Sequence, residues 1–157
     1  MKQKLAELSF LTSGEGFIDI TPAINDWIKS NGLTQGILVI STKHTSCSLT
    51  VNENADPRVL KDLSTYMKAI VPEEGVCSIN GKGKQNLYLH GDEGLDDMPA
   101  HIRTALTCSS LSFSINHSQL VLGQWQAIYL WEHRYRSHSR QISLHAIGEM
   151  QPISHKS

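Results

Sequence analysis

The chain has 157 residues, 39% of them hydrophobic and 18% charged, the proportions of a soluble domain with room for a core. Its formal charge of −1 excludes the broad positive field that sequence-independent nucleic-acid binding needs. Cys47, Cys77 and Cys108 are an odd set without CxxC spacing, which argues against a disulfide framework or zinc knuckle, and no apolar run reaches the length of a signal peptide or membrane span. A reduced, cytoplasmic protein with no nucleic-acid and no membrane partner is the expectation.

In chain order, residues 4–11 alternate apolar and polar as a half-buried strand, a turn follows at 12–16, and Phe17–Ile20 forms a second strand pairing back on the first. Thr21 and Pro22 supply an N-cap and a first helical residue, Ile24, Trp27 and Ile28 give one helical face, and Asn31–Gly32 stops the helix. The β-branched run Gln35–Ser41 predicts a central strand covered on both faces, and Ser48–Asn52 another strand. Asp56 caps a helix opened by Pro57, whose Leu60, Leu63, Tyr66, Met67 and Ile70 share a face. Residues 73–87 read as a long mobile loop.

Residues 88–104 concentrate the polar chemistry: His90 and His101 lie among Asp92, Glu93, Asp96 and Asp97. So many carboxylates need water, a cation or basic partners, and eight histidines against fourteen Lys plus Arg strengthen the hint of site chemistry. Asp97 is the expected cap of a helix running through Ile102, Ala105 and Leu106. From 111 onward the pattern is β: strands at 112–115, 119–122 and 127–131, a basic turn at 132–139, and a last strand over 140–147. The fold class is α+β, a compact single domain over 1–150 of mixed or antiparallel sheet with two to three helices, followed by a polar tail at 151–157.

Three ordered motifs, His44–Asp56, Asp97–His101 and Leu122–Glu132, resemble the YjbQ family, often described as secondary thiamine-phosphate synthases; the likeness spans roughly residues 1 to 150. The resemblance implies a homotrimeric α+β domain that joins hydroxymethylpyrimidine pyrophosphate and thiazole phosphate with release of pyrophosphate. Gly91–Leu95 departs from the acidic or asparagine-bearing run common in relatives, so Asp92 and Glu93 are not carried over.

His44, His90 and His101 form a candidate metal triad for a divalent ion, zinc-like or magnesium arriving with pyrophosphate. The alternative is three separate surface or packed histidines. His44, Cys47, Glu53 and Glu132 are the catalytic candidates. Cys47 reads either as an activated nucleophile or as a small packed residue, and Glu132 either as an orienting carboxylate or as a plain partner of Arg134 or Arg140. Thr45, Ser46, Asn52, Trp125, Gln126 and Arg140 are the candidates for holding a small phosphorylated substrate, with Arg140 preferred because guanidinium grips phosphate bidentately. Turn-capping hydroxyls and a core or interface indole are the plainer alternatives. Two rival functions stand beside the synthase: a metal-dependent hydrolase of a small phosphorylated substrate, and a non-enzymatic metal- or ligand-binding trimer.

Overall fold

The computed structural model describes residues 1–77, 85 and 87–151. The expected loop falls partly outside these residues, at 78–84 and 86, as does the expected tail beyond residue 151. In chain order the elements are β1 (Lys2–Leu11), β2 (Gly16–Asp19), α1 (Thr21–Ser30), β3 (Leu33–Thr42), β4 (Cys47–Glu53) and α2 (Pro57–Ile70). They continue with α3 (Asp97–Leu106), β5 (Ser110–Asn116), β6 (Gln119–Leu120), β7 (Gln126–Glu132) and β8 (Ser139–Met150).

The strands form a five-stranded sheet, β1-β8-β3-β5-β6, and a three-stranded sheet, β2-β7-β4, with every pairing antiparallel. Alternation decides what lies between them. In β3 Leu38 and Ile40 point inward, in β8 Ile142 and Leu144, and in the smaller sheet Leu49, Ile128 and Leu130 meet them. Helix α1 completes this core with Ile24 and Ile28 and touches β3, β6 and β7. Helices α2 and α3 contact β4. The alternate residues Ser48, Tyr129 and Trp131 of that sheet, and His133 just beyond β7, are buried but lie outside the core cluster.

Several local expectations change. β2 does not pair back on β1; it joins β7, because the turn through Gly14 (φ 119°) and Gly16 (φ 150°) carries the chain from one sheet to the other. A Cβ on Gly14 would stand 2.6 Å from the Tyr135 carbonyl oxygen, so glycine is required there. Ile20, not Thr21, is the N-cap of α1; the Thr21 hydroxyl instead accepts the Ile128 N–H at 2.8 Å. β3 is central but covered on one face only, leaving Ile37 and Val39 exposed. Asp56 does cap α2, accepting the Arg58 N–H at 2.9 Å, yet no residue of α2 is buried and Tyr66 and Ile70 stand in the open. The β5–β6 turn has consecutive left-handed residues, His117 (φ 48°) and Ser118 (φ 59°), the twist that suits a tight hairpin.

In the β3–β8 pair Gly36 and Gly148 face each other. A Cβ on Gly148 would run into the Gln35 carbonyl oxygen and meet Gly36 Cα at 2.9 Å, and both are backbone atoms held in the ladder. Gly148→Ala is therefore expected to lower stability by about 1–3 kcal/mol through overpacking. Urea unfolding measures this, and an unchanged midpoint would show that the two strands separate freely.

Candidate functional site

The acidic stretch folds around one cation. Arg134, on the turn leaving β7, sends Nε to Asp96 Oδ2 at 3.0 Å, Nη1 to Asp97 Oδ1 and to Glu93 Oε2 at 3.3 Å, and Nη2 to the Glu93 carbonyl at 2.9 Å. Asp96 also accepts the Tyr135 N–H at 2.8 Å. This overturns the expected cap role of Asp97. The N-cap position belongs to Asp96, which makes no side-chain cap bond, and Asp97 is the first helical residue with its side chain turned inward. A buried guanidinium competes for these carboxylates more strongly than free helix N–H groups do.

Turning inward places Asp97 between two imidazoles. His90 Nε2 lies 2.9 Å from Asp97 Oδ2 and His101 Nε2 lies 3.5 Å from Oδ1, with the two rings 5.3 Å apart. Asp97 and His101 meet because residues four apart share a helix face. The ligand atoms of the three residues fall within 4.8 Å of one another. Although His90 comes close, no N–H is aligned on Oδ2, which is a buried acceptor without a hydrogen bond. On its other side His101 Nδ1 lies 2.9 Å from the Thr45 carbonyl. A carbonyl only accepts, so Nδ1 carries the proton and the Nε2 of a neutral His101 presents its lone pair to Asp97. An orphaned carboxylate oxygen, two convergent imidazole nitrogens and a carbonyl-oriented ring fit a divalent transition metal. The side chains range from buried Asp97 to half-exposed His90, so the cluster opens to solvent. Next to it a cleft of about 340 Å³ is lined by Leu87, Tyr88, His90 and Leu95, with Glu73 and Glu74 on its wall.

His44 stands outside this group. Its Nε2 accepts the Gln141 N–H at 2.9 Å, and burial, followed by the charge of Arg140, holds its pKa below the ordinary value. The structure thus brings His90 and His101 together, with Asp97 as the third member in place of the expected His44. The loop after His44 still borders the cluster through Thr45. Cys47 is fully buried, 3.1 Å from Thr42 Oγ1, and burial raises its thiol pKa. It has no opening toward a substrate, and its surroundings suit a packed thiol.

Glu132 is 1% exposed and is the best-bonded carboxylate in the chain's interior. It accepts Arg140 Nε at 2.6 Å and Arg140 Nη2, the Thr12 hydroxyl at 3.0 Å and the Arg134 N–H at 3.0 Å. Burial works against its ionisation, but these partners together hold its pKa below the usual value. Arg140 is accordingly spent on Glu132 and on Ser46 Oγ at 3.1 Å, where the sequence suggests a phosphate ligand. Asn52, Glu53, Trp125 and Gln126 gather around a separate depression of about 470 Å³. In the β4–β7 ladder Glu53 pairs with Gln126 and Cys47 with Glu132, six register steps away, about 20 Å. The sequence candidates therefore divide between two ends of one ladder.

Sequence reasoning missed three residues. Arg134 is the basic partner that the acidic stretch requires, Asp97 is the third ligand candidate, and His133 is a buried histidine whose Nε2 lies 2.9 Å from Ser48 Oγ. The charge surplus over 92–97 was the available signal for Arg134; nothing local marked His133.

A two-sheet α+β domain with a His–Asp–His cluster at the start of one helix is the class that fold and site define. The family model described as UPF0047 protein YjbQ-like matches residues 6–149, and the chain belongs to this family. It is 41% identical to the UPF0047 protein of Synechocystis sp., covering 91% of this chain and 90% of that one. It is 34% identical to the YjbQ protein of Escherichia coli, covering 90% and 96%. Among solved structures, a YjbQ/UPF0047 family protein of Clostridium acetobutylicum, titled uncharacterized, superposes with TM-score 0.77 at 32% identity, covering 90% of this chain and 99% of that one. Among the described residues no helix is long and apolar enough to cross a membrane.

The buried histidine sets a pH dependence. Burial first, then the charge of Arg103, push His133 down to about 3. Unfolded, it takes up a proton near pH 6.5, so between these values the unfolded state binds more protons and stability falls as pH falls, by about 1.4 kcal/mol per unit. His44 acts in the same direction, and Glu132, with its depressed pKa, adds its share only below about pH 4.3. His133→Gln is expected to flatten the decline between about pH 6.5 and 4.5 by up to one proton's slope. Urea unfolding across that range reads it, and identical slopes in both proteins would refute the assignment.

Proposed function

We propose that this chain is a metal-dependent enzyme acting on a small phosphorylated substrate, with a divalent metal held by His90, His101 and Asp97. We take its reaction to be the one its family resemblance implies, joining hydroxymethylpyrimidine pyrophosphate to thiazole phosphate with loss of pyrophosphate. The observation that carries the metal is the Thr45–His101–Asp97 line: Nδ1 is committed to a carbonyl, and Nε2 faces a carboxylate 3.5 Å away. Two lone pairs so disposed repel unless a metal ion or a proton lies between them. A bound metal would supply positive charge for the pyrophosphate leaving group. The chain's own groups do the positioning: the Thr45 carbonyl fixes the His101 tautomer, and Arg134 holds Asp97. The cleft beside His90, about 340 Å³ and walled by Leu87 and Leu95, is of a size to take a heteroaromatic ring.

Self-association as a homotrimer belongs to the same proposal. Its support is the uncovered face of the five-stranded sheet, where Leu5, Ile37, Val39 and Ile147 stand in the open, with Ile37 opposite Ile147 across the β3–β8 pair. Contiguous apolar surface of this kind marks an interface.

Purified protein is expected to carry about one transition-metal ion per chain, and His90→Ala, His101→Ala and Asp97→Asn to lose at least about a hundredfold in metal affinity. Elemental analysis and incubation with the two thiamine precursors measure both halves, and product formation should disappear with the metal. A metal-free wild type whose activity survives all three changes would assign the cluster to a protonated His101 paired with Asp97. Metal uptake with release of phosphate from simple esters, and none from the precursors, would favour the hydrolase; uptake without turnover would favour a binding protein.

Val39→Lys places a charge at the centre of the exposed face, and light scattering after gel filtration should show it shifting a trimer to monomer. A wild type that is already monomeric would end the trimer reading.

A further inference from the structure

The far end of the β4–β7 ladder carries a concave surface of its own. A depression of about 470 Å³ is lined there by Asn52, Glu53, Ala55, Trp125 and Gln126. Glu53 and Gln126 are direct partners in the ladder, and the Asn54 N–H donates to the Trp125 carbonyl at 3.0 Å, which carries the pairing to the rim. Trp125 lies in a turn closed by the Gln126 N–H donating to the Gly123 carbonyl at 3.0 Å. Its indole, a ring that proteins ordinarily bury, is nevertheless 59% exposed.

Two hydrogen bonds fix which way the amides face. The Glu53 N–H donates to Asn52 Oδ1 at 2.9 Å, and the Gly123 N–H to Gln126 Oε1 at 2.8 Å. A backbone N–H only donates, so both amide oxygens are engaged and both NH2 groups remain as donors. An ionised Glu53 only accepts, and among the described residues its carboxylate forms no ion pair. The depression therefore offers one stacking face, two donors and one negatively charged acceptor.

That set selects by chemistry. A phosphate would face Glu53, with no Lys or Arg in the lining to offset the repulsion. A metal would find a single carboxylate, because both amide oxygens are engaged. A guanidinium or ammonium suits Glu53 and the indole but offers nothing to the two amide donors. A planar nitrogen heterocycle with an amino group answers every element: the ring stacks on Trp125, the amino group donates to Glu53, and ring nitrogens accept from Asn52 and Gln126. We infer that Asn52, Glu53, Trp125 and Gln126 form a binding site for an amino-substituted heterocycle of the nucleobase kind, taken as a small molecule. The formal charge of −1 and Glu53 both oppose the phosphates of a nucleic-acid strand. The site lies six register steps from the Cys47–Glu132 pair, about 20 Å, and stands independently of the metal cluster.

Titration calorimetry of the full-length protein with adenosine tests the site. One saturable site per chain is expected, with Kd of about 0.1–1 mM, ordinary for a ligand of that size. Purine riboside, the same rings without the amino group, should bind at least about tenfold more weakly, since a hydrogen bond to a charged group is lost. Glu53→Gln should weaken adenosine by a similar factor, and Trp125→Ala by about tenfold or more through lost stacking. Both side chains are exposed, so both variants are expected to fold. His101→Ala should bind adenosine as the wild type does, which keeps failure of this site distinct from failure of the metal reading. No saturable binding by the wild type, equal binding of purine riboside, or tighter binding by Glu53→Gln overturns the inference. So does a Trp125→Ala variant that binds adenosine unchanged and differs in molar mass by light scattering, because the indole would then belong to a subunit contact. Saturable binding of glucose without binding of adenosine overturns it in favour of a saccharide site.

Discussion

The buried carboxylate of Glu132 is the constraint on which the rest of the site depends. It stands at the end of β7, where Gly16 and Cys47 flank it in the ladders, and it draws in Arg140 from β8, the Thr12 hydroxyl from the turn after β1, and the backbone N–H of Arg134. One side chain thus ties both sheets together and fixes where the turn after β7 begins. Removing one partner of such a buried pair typically costs about 3–5 kcal/mol, because the other charge stays behind uncompensated.

From that anchor the chemistry follows by a short chain of positions. Glu132 holds the Arg134 backbone, Arg134 gathers Asp96 and Asp97, and Asp97 meets His90 and His101. Each link is buried or nearly so until the last, where the imidazoles reach the surface. Rigid support behind an open end is what a ligand-binding cluster needs, since preorganised groups lose little freedom on binding. The far end of the β4–β7 ladder, with Asn52 and Trp125, takes no part in this chain of contacts.

Much of this was legible in the residues. The strands around Leu38 and Leu130 announced themselves by apolar patterning, and Asp56 with Pro57 marked the start of α2. His90 and His101 stood out because they lie close together among acids. What escaped detection depends on partners distant in the chain. Capping rules describe Asp97 against its own helix, whereas its fate is settled by Arg134, thirty-seven residues on. The short strand Gly16–Asp19 has a pattern that permits several partners, and only the turn geometry at Gly14 sends it to β7. Exposure of Ile37 and Val39 shows a related limit: a β-branched run looks alike whether its outer face meets protein or water. Arg140 and His44 stood out by chemistry; in the fold Arg140 pairs with the buried Glu132, and the partly buried His44 accepts the Gln141 N–H.

The pairing of β1 with β8 has a consequence for how the chain reaches this state. Lys2 lies opposite Gly148 and Leu11 opposite Ser139, so β1 must wait for β8, synthesised after every other strand described here, as its partner. At ordinary translation speeds that leaves β1 waiting for roughly 10–30 s. During that interval the first strand offers unpaired backbone groups and the side chains of Leu5, Leu8, Phe10 and Leu11. Closing so long a loop also makes the final step slow relative to local helix formation. Lys2 and Lys4, at its leading end, place charge where premature strand-to-strand association would begin.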